Sequence, residues 1–458
     1  MAHNTTVTAD TNAPPITRIL AEFVVTHPTG GFPPGVEREA HRTFMNWLGC
    51  AIGAARHPTM EAALAAVQEL APSPQATVLG RTERVDIASA ALLNGISSHT
   101  FDFDDTHLKT IIHPAGPVAS AALALAEHVS SSGREVIDAL VLGIDVACRM
   151  GNMIYPEHYE RGWHITGSTG MLGAAAACAR LLRLDVERTQ MALGIAASQP
   201  IGVREQFGSM TKPFHPGGAA RAGLTSALMA KHRFTSSARA IEAPRGIAQT
   251  YSTKCAWNEI TDELGTRFEI AFNTYKPFAC GIVIHPSIDA CVQLRNAHAL
   301  QAGDIERVDL RVHPLVLELT GKRAPRSGLE GKFSVYHACA AGIIFGRAGE
   351  QEFSDEIVAR QDVVALRDRV QAQADANIAE AATDVTITLK GGRTHRLHIE
   401  HAIGSLERPM SDDDLAAKFH GLVDPILGAS RAGELIAQSL SIGSASVLRA
   451  LATLARPA

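Results

Sequence analysis

Apolar residues recur at helical spacing through roughly the first 265 residues. Segments 35–55, 59–71, 86–99, 116–131 and 134–152 each set an apolar stripe against polar neighbours, which predicts a series of helices. Pro72-Ser-Pro and Ser130-Ser-Ser-Gly interrupt the pattern as breaks. Asp185 is placed to cap a helix that begins near Val186. Segments 170–179 and 217–227 are instead rich in Gly, Ala and Ser, and small side chains let helix backbones approach closely. These two are expected at the centre of a helical body.

The period then changes to two. It does so at 305–313, at 384–390 and, after Gly391-Gly392, at 394–400, where the last two segments read as a hairpin. Helices are expected near 333–347 and 354–373, and again at 411–420 and 429–451. The predicted fold is mainly α with an α+β part. Residues 1–268 and 404–458 make a discontinuous helical domain, and residues 269–403 make an inserted α+β lid. The first dozen residues follow neither period and are expected to be disordered.

Composition narrows the class. A chain of 458 residues exceeds the usual size of one core. With 46% hydrophobic and 19% charged residues it is globular, and 5% aromatics with abundant alanine favour packed helices over a β-sandwich. A net charge of -5 gives no footprint for nucleic acid or an anionic membrane. The nearest approach to a membrane span, 170–182, contains Arg180. The first ten residues lack the features of a secretory signal, and seven scattered cysteines with no CxxC indicate neither a disulfide framework nor a thiolate zinc site. A cytoplasmic protein is expected.

Candidate chemistry concentrates in three runs. Arg204-Glu-Gln206-Phe-Gly-Ser-Met-Thr-Lys212-Pro-Phe-His215 crowds cations, amides and hydroxyls before a helix start, which suits gripping or deprotonating a small anion, although a plain surface loop has the same composition. His99 to His113 holds three carboxylates and three histidines, without the helical spacing of a metal motif. A hydrogen-bonded active-site loop is the better reading there, and helix capping by Asp105 or Thr106 is the bland one. Gly162-Trp-His164 precedes a Gly/Ser-rich helix entrance whose free N–H groups suit a carboxylate. No dinucleotide or phosphate loop is present, and nothing else in the chain supports Lys212 as a pyridoxal-phosphate lysine. Neither a metal nor an organic cofactor is expected.

Asp102-Phe-Asp-Asp-Thr106, His113-Pro, Gly162-Trp-His164, Thr211-Lys212-Pro, Lys276-Pro-Phe-Ala-Cys and Lys332-Phe-Ser-Val-Tyr336 together resemble the MmgE/PrpD family, from about residue 15 to the C-terminus. That family includes 2-methylcitrate dehydratase, cis-aconitate decarboxylase and iminodisuccinate epimerase. The resemblance implies a homodimer with a site in the cleft between helical domain and lid, and cofactor-free chemistry at a C–H bond beside a carboxylate. It offers Lys212, His164, His113 and Tyr336 as catalytic candidates. Asp102, Thr106, Arg204, Gln206, Lys332 and His285 are the candidates for substrate binding. Two departures bear on the member. The Thr106–His113 spacing is longer than in the decarboxylases, and Gly281 stands where they are expected to present a histidine, with His285 four residues on. The 204–212 run looks more like the branch containing iminodisuccinate epimerase. The expected function is therefore epimerisation of a small dicarboxylate. The alternatives are a methylcitrate-type dehydratase, a cis-aconitate decarboxylase or a non-catalytic carboxylate-binding protein.

Overall fold

The computed structural model describes residues 13–446 and 448–457. The expected disorder of the first dozen residues lies outside them. The architecture is mainly helical with small sheets. At its centre, helices Ile165–Leu181 and Thr211–Lys231 are buried on nearly every side, and Ile87–Thr100, Ala115–Val129 and Gly133–Ile154 pack around them. Their small residues make this possible. A Cβ on Gly95 would lie 2.6 Å from the Gly217 Cα, and one on Gly143 would lie 2.7 Å from the Gly173 carbonyl oxygen.

Side-chain caps open several helices, Asp185 among them as expected. Asp86 accepts from the N–H groups of Ala88 and Ser89, and Asp185 accepts from that of Arg188. Ser132 and Glu135 close a capping box on Gly133–Ile154.

The α+β part holds a four-stranded sheet. Strand Ile305–Val312 pairs in parallel with Val370–Ala374 and antiparallel with Thr383–Leu389, which pairs antiparallel with Thr394–Ile399. The expected hairpin is present, and Gly391 and Gly392 turn it with positive φ. Ile305, Val308, Leu310 and Val312 point inward, and helices His285–His298 and Val335–Phe345 pack in this part of the molecule. The helix expected over 354–373 is corrected. It breaks at Arg360 into Asp355–Ala359 and Gln361–Arg367, and Val370-Gln-Ala-Gln-Ala then joins the sheet. That segment alternates in polarity, and pairing with the Ile305–Val312 strand satisfies its backbone.

Helix Asp412–Leu427 returns to the first part of the chain and lies on Pro34–Gly53, with Phe419 against Gly49 and Leu422 against Gly53. The helix expected over 429–451 is interrupted. Ala429–Leu440 ends before a short turn of 3-10 helix, and Arg449–Leu454 follows.

Candidate active site

Four segments converge on one cavity. Helix Ile87–Thr100 ends just before Asp102, whose backbone is left-handed at φ 51°, an uncommon state that bends the chain sharply into strand Asp105–His107. That strand pairs with Asn273–Tyr275, placing Lys276 beside Asp102. His164 stands at the entrance of Ile165–Leu181, and Lys212 lies in the first turn of Thr211–Lys231.

Asp102 Oδ1 accepts from both ammoniums, at 2.8 Å from Lys212 and 2.6 Å from Lys276, and Lys276 also donates to the Asp102 carbonyl at 3.0 Å. All three side chains are buried. Burial disfavours the Asp102 charge, yet the two lysines hold its carboxyl well below the usual range. Burial pulls Lys212 below the ordinary lysine value despite Asp102. The two lysines and one carboxylate carry one surplus positive charge. Phe207 and Phe333 flank Lys212, each ring centre 5.1 Å from its Nζ.

His99, His113 and His164 cluster with ring centres 4.7 to 6.5 Å apart. His113 donates Nδ1–H to the Asp105 carbonyl at 2.7 Å, which leaves the lone pair on Nε2. Burial holds both His113 and His164 well below the ordinary histidine value, so both are neutral at pH 7. His99 Nδ1 pairs with Asp104 Oδ2 at 2.7 Å. Asp102 Oδ2, His99 Nε2 and His164 Nε2 are buried without hydrogen-bond partners. Orphaned polar atoms in such number are costly unless a ligand satisfies them.

The potential ligand atoms of His99, Asp102, Asp104 and His113 lie within 4.8 Å of one another, close enough to hold a metal ion. Two ammoniums already occupy Asp102 Oδ1, and their charge opposes a dication at that position.

Of the sequence candidates, Asp102, His113, His164 and Lys212 line the cavity together. The other six stand back from its wall. Thr106 lies behind His113, its Oγ1 3.3 Å from Nδ1. Arg204 donates to the Tyr159 carbonyl at 2.9 Å and pairs with Glu318. Gln206 accepts from Ser209 in a tight turn. Lys332 is fully buried, donating to the carbonyls of Phe101 (2.8 Å) and Ala279 (2.9 Å) and to Glu350. It therefore fixes the Phe101–Asp102 backbone and leaves no donor for a substrate. Tyr336 is buried with Arg323 across its ring, off the cavity wall. His285 borders a neighbouring apolar cavity that shares Ile111, Ile282 and Val283 with the first. Burial and Lys276 push the His285 imidazole down to about 3. Gly281 lines the first cavity, facing Thr320. Lys276, His99 and His215 are site residues that the sequence does not single out, although His99 opens the run expected to form an active-site loop and Lys276 opens one of the family motifs. The signal for His215 was available, because residues three apart on a helix share a face with Lys212.

The family's N-terminal domain pattern, MmgE/PrpD N-terminal domain, matches residues 18–260, and the MmgE/PrpD C-terminal domain matches residues 278–442. The chain belongs to the MmgE/PrpD family. Among its MmgE/PrpD relatives is the cis-aconitate decarboxylase-like protein oryM of Aspergillus oryzae, 24% identical over 93% of this chain and 94% of its own. Cis-aconitate decarboxylase of Mus musculus is 27% identical over 77% of this chain and 75% of its own. That of Homo sapiens is 27% identical over 79% and 78%. The relatives named are decarboxylases or resemble them, and none of these three carries an epimerase name. Among the described residues, no helix is long and apolar enough to cross a membrane.

Proposed function

We propose that this chain is a cofactor-independent enzyme that moves a proton on or off the carbon beside a carboxylate of a small di- or tricarboxylate, as a lyase. The observation that carries this reading is the Asp102 carboxylate held between Lys212 and Lys276, with the free Nε2 of His113 on the same cavity. Loss of the α-proton puts negative charge on the substrate carboxylate oxygens, and the surplus positive charge of the lysine pair stabilises it as it develops. His113 is the proton acceptor, neutral and held by a carbonyl that can only accept. In a dehydration the α-proton passes to His113 and the departing hydroxide takes a proton from a donor. In a decarboxylation the bond to the leaving CO2 breaks, its electron pair shifts through the adjacent double bond, and the far α-carbon takes a proton. The decarboxylase names of the relatives support the lyase class.

Epimerisation of iminodisuccinate is the second reading. Gly281 on the cavity wall favours it, because the decarboxylases are expected to carry a histidine there. In that case the proton returns to the opposite face. Tyr336 lies off the wall, so His164 is the second acid in either reading. The purified protein in D2O, given cis-aconitate, 2-methylcitrate and the iminodisuccinate stereoisomers, should place solvent deuterium on the α-carbon of one of them. CO2 or water release separates lyase from epimerase. Binding without any exchange would leave only a carboxylate-binding protein.

A further inference from the structure

His164 Nδ1 does not meet a carbonyl, as His113 Nδ1 does. It lies 2.8 Å from Nδ1 of His215, a side chain only 2% exposed on the same helix as Lys212. The contact is built into the fold. The chain at Gly202 has φ 102°, and a Cβ there would fall 2.7 Å from His215 Cγ and 3.2 Å from His164 Cβ. Gly202 also accepts the His164 backbone N–H at 3.1 Å. Only glycine closes the loop over this ring pair.

Two neutral imidazoles facing each other through Nδ1 can share only one proton there. If His164 supplies it, its Nε2, buried with no other partner, is a lone pair. If His215 supplies it, His164 carries its proton on Nε2. A lone pair on Nε2 would point at the oxygens of an incoming carboxylate, whereas an N–H would bond to them. We infer that His215 is a positioning residue that donates Nδ1–H to His164 and so makes His164 Nε2 a proton donor, the counterpart of His113. The two site histidines then hold opposite tautomers because of what stands behind each. Asp105 offers a carbonyl, which forces the base form, and His215, as the donor of the shared proton, gives the acid form. Burial keeps both His164 and His215 below the ordinary histidine value, so neither needs to be charged for this exchange of roles.

This assignment rests on the carboxylate reading of the site, but the tautomer itself is read without a substrate. Ring-nitrogen NMR of the full-length protein labelled with 15N-histidine, assigned through His164→Gln, should show His164 protonated on Nε2. His215→Leu should change that tautomer population and cut α-carbon exchange by about tenfold to a hundredfold, the usual cost of removing the partner that orients a site histidine. His215→Asn, which returns an amide donor near the lost Nδ1, should restore both, and it carries the test if the leucine variant misfolds. A wild-type His164 protonated on Nδ1, or an unaltered tautomer in His215→Leu, overturns the inference. The expected tautomer with no exchange on any carboxylate leaves it standing and overturns the function instead.

Discussion

Lys212 and Lys276 share one oxygen of Asp102, so neither is a spare. Lys212→Ala should lower turnover by at least a hundredfold, the lower range for losing a proton-transfer or charge-stabilising group, with an unchanged far-UV spectrum. Lys276→Met should do the same, and near-normal steady-state rates in either variant would remove the triad from the mechanism. A second residue-scale expectation concerns acid. Glu269 is buried, which opposes its charge, yet hydrogen bonds from His107 and Asn152 and the charges of His107 and Arg149 hold it at about 2, below an ordinary 4.5. A depressed carboxyl contributes stability above the unfolded value and loses it as pH falls through the folded one. The window is therefore about pH 4.5 to 2, and the contribution is on the order of 3 kcal/mol. Urea midpoints of Glu269→Gln should lack that acid slope. At this scale Lys212, His164 and His113 were legible because each sits in a local run of polar groups. Lys276 was not, because its role depends on pairing Asn273–Tyr275 with a strand about 170 residues earlier. The sequence could not separate Lys332 from a ligand lysine, since only burial reveals that its donors are spent on carbonyls.

The same site is set at the next scale by how closely two helices approach. Ile87–Thr100 leads into Asp102 and Thr211–Lys231 begins at Lys212, and they cross at Gly95 and Gly217. A Cβ on Gly217 would lie 2.3 Å from the Leu92 carbonyl oxygen, so Gly217→Ala must push the helices apart. Overpacking of this kind costs about 1–3 kcal/mol. It should also lengthen the Lys212–Asp102 contact, and turnover should fall with the urea midpoint. Lower stability with full turnover would separate helix spacing from the ion pair. One side of this crossing, the small-residue run 217–227, was readable in the sequence, but Gly95 on the other side lies in a segment that reads only as an amphipathic helix. The strand at Val370–Ala374 was hidden at the end of a helical run, and only its tertiary partner decides its state.

Across the whole molecule, we propose the division read from the sequence, with residues 1–268 and 404–458 as one body and 269–403 as the lid. Its support is the seating of Asp412–Leu427 on Pro34–Gly53. Lys418 on that helix donates to Asn46 (2.8 Å), to the Lys276 carbonyl (3.0 Å) and to the Phe103 carbonyl, so the chain's end braces both arms of the site. Phe419→Ala should cost about 3–5 kcal/mol, read by chemical denaturation. A loss within 1 kcal/mol would count against the shared body. Dialysis against a strong chelator should leave turnover unchanged. A lasting loss restored by one divalent ion would instead assign the His99, Asp102, Asp104 and His113 cluster to a metal.

That brace also sets a timetable for biosynthesis. Gly49 leaves the ribosome 370 residues before Phe419, the ring that covers it. At about 5–20 residues per second the wait is roughly 20 to 70 s. Throughout it, the face of Pro34–Gly53 that Asp412–Leu427 will cover waits for Phe419 and Leu422, and it is a surface a holding chaperone would meet on the growing chain. Nascent chains arrested at residue 400 should be cut by protease near that groove, and chains released at full length should resist.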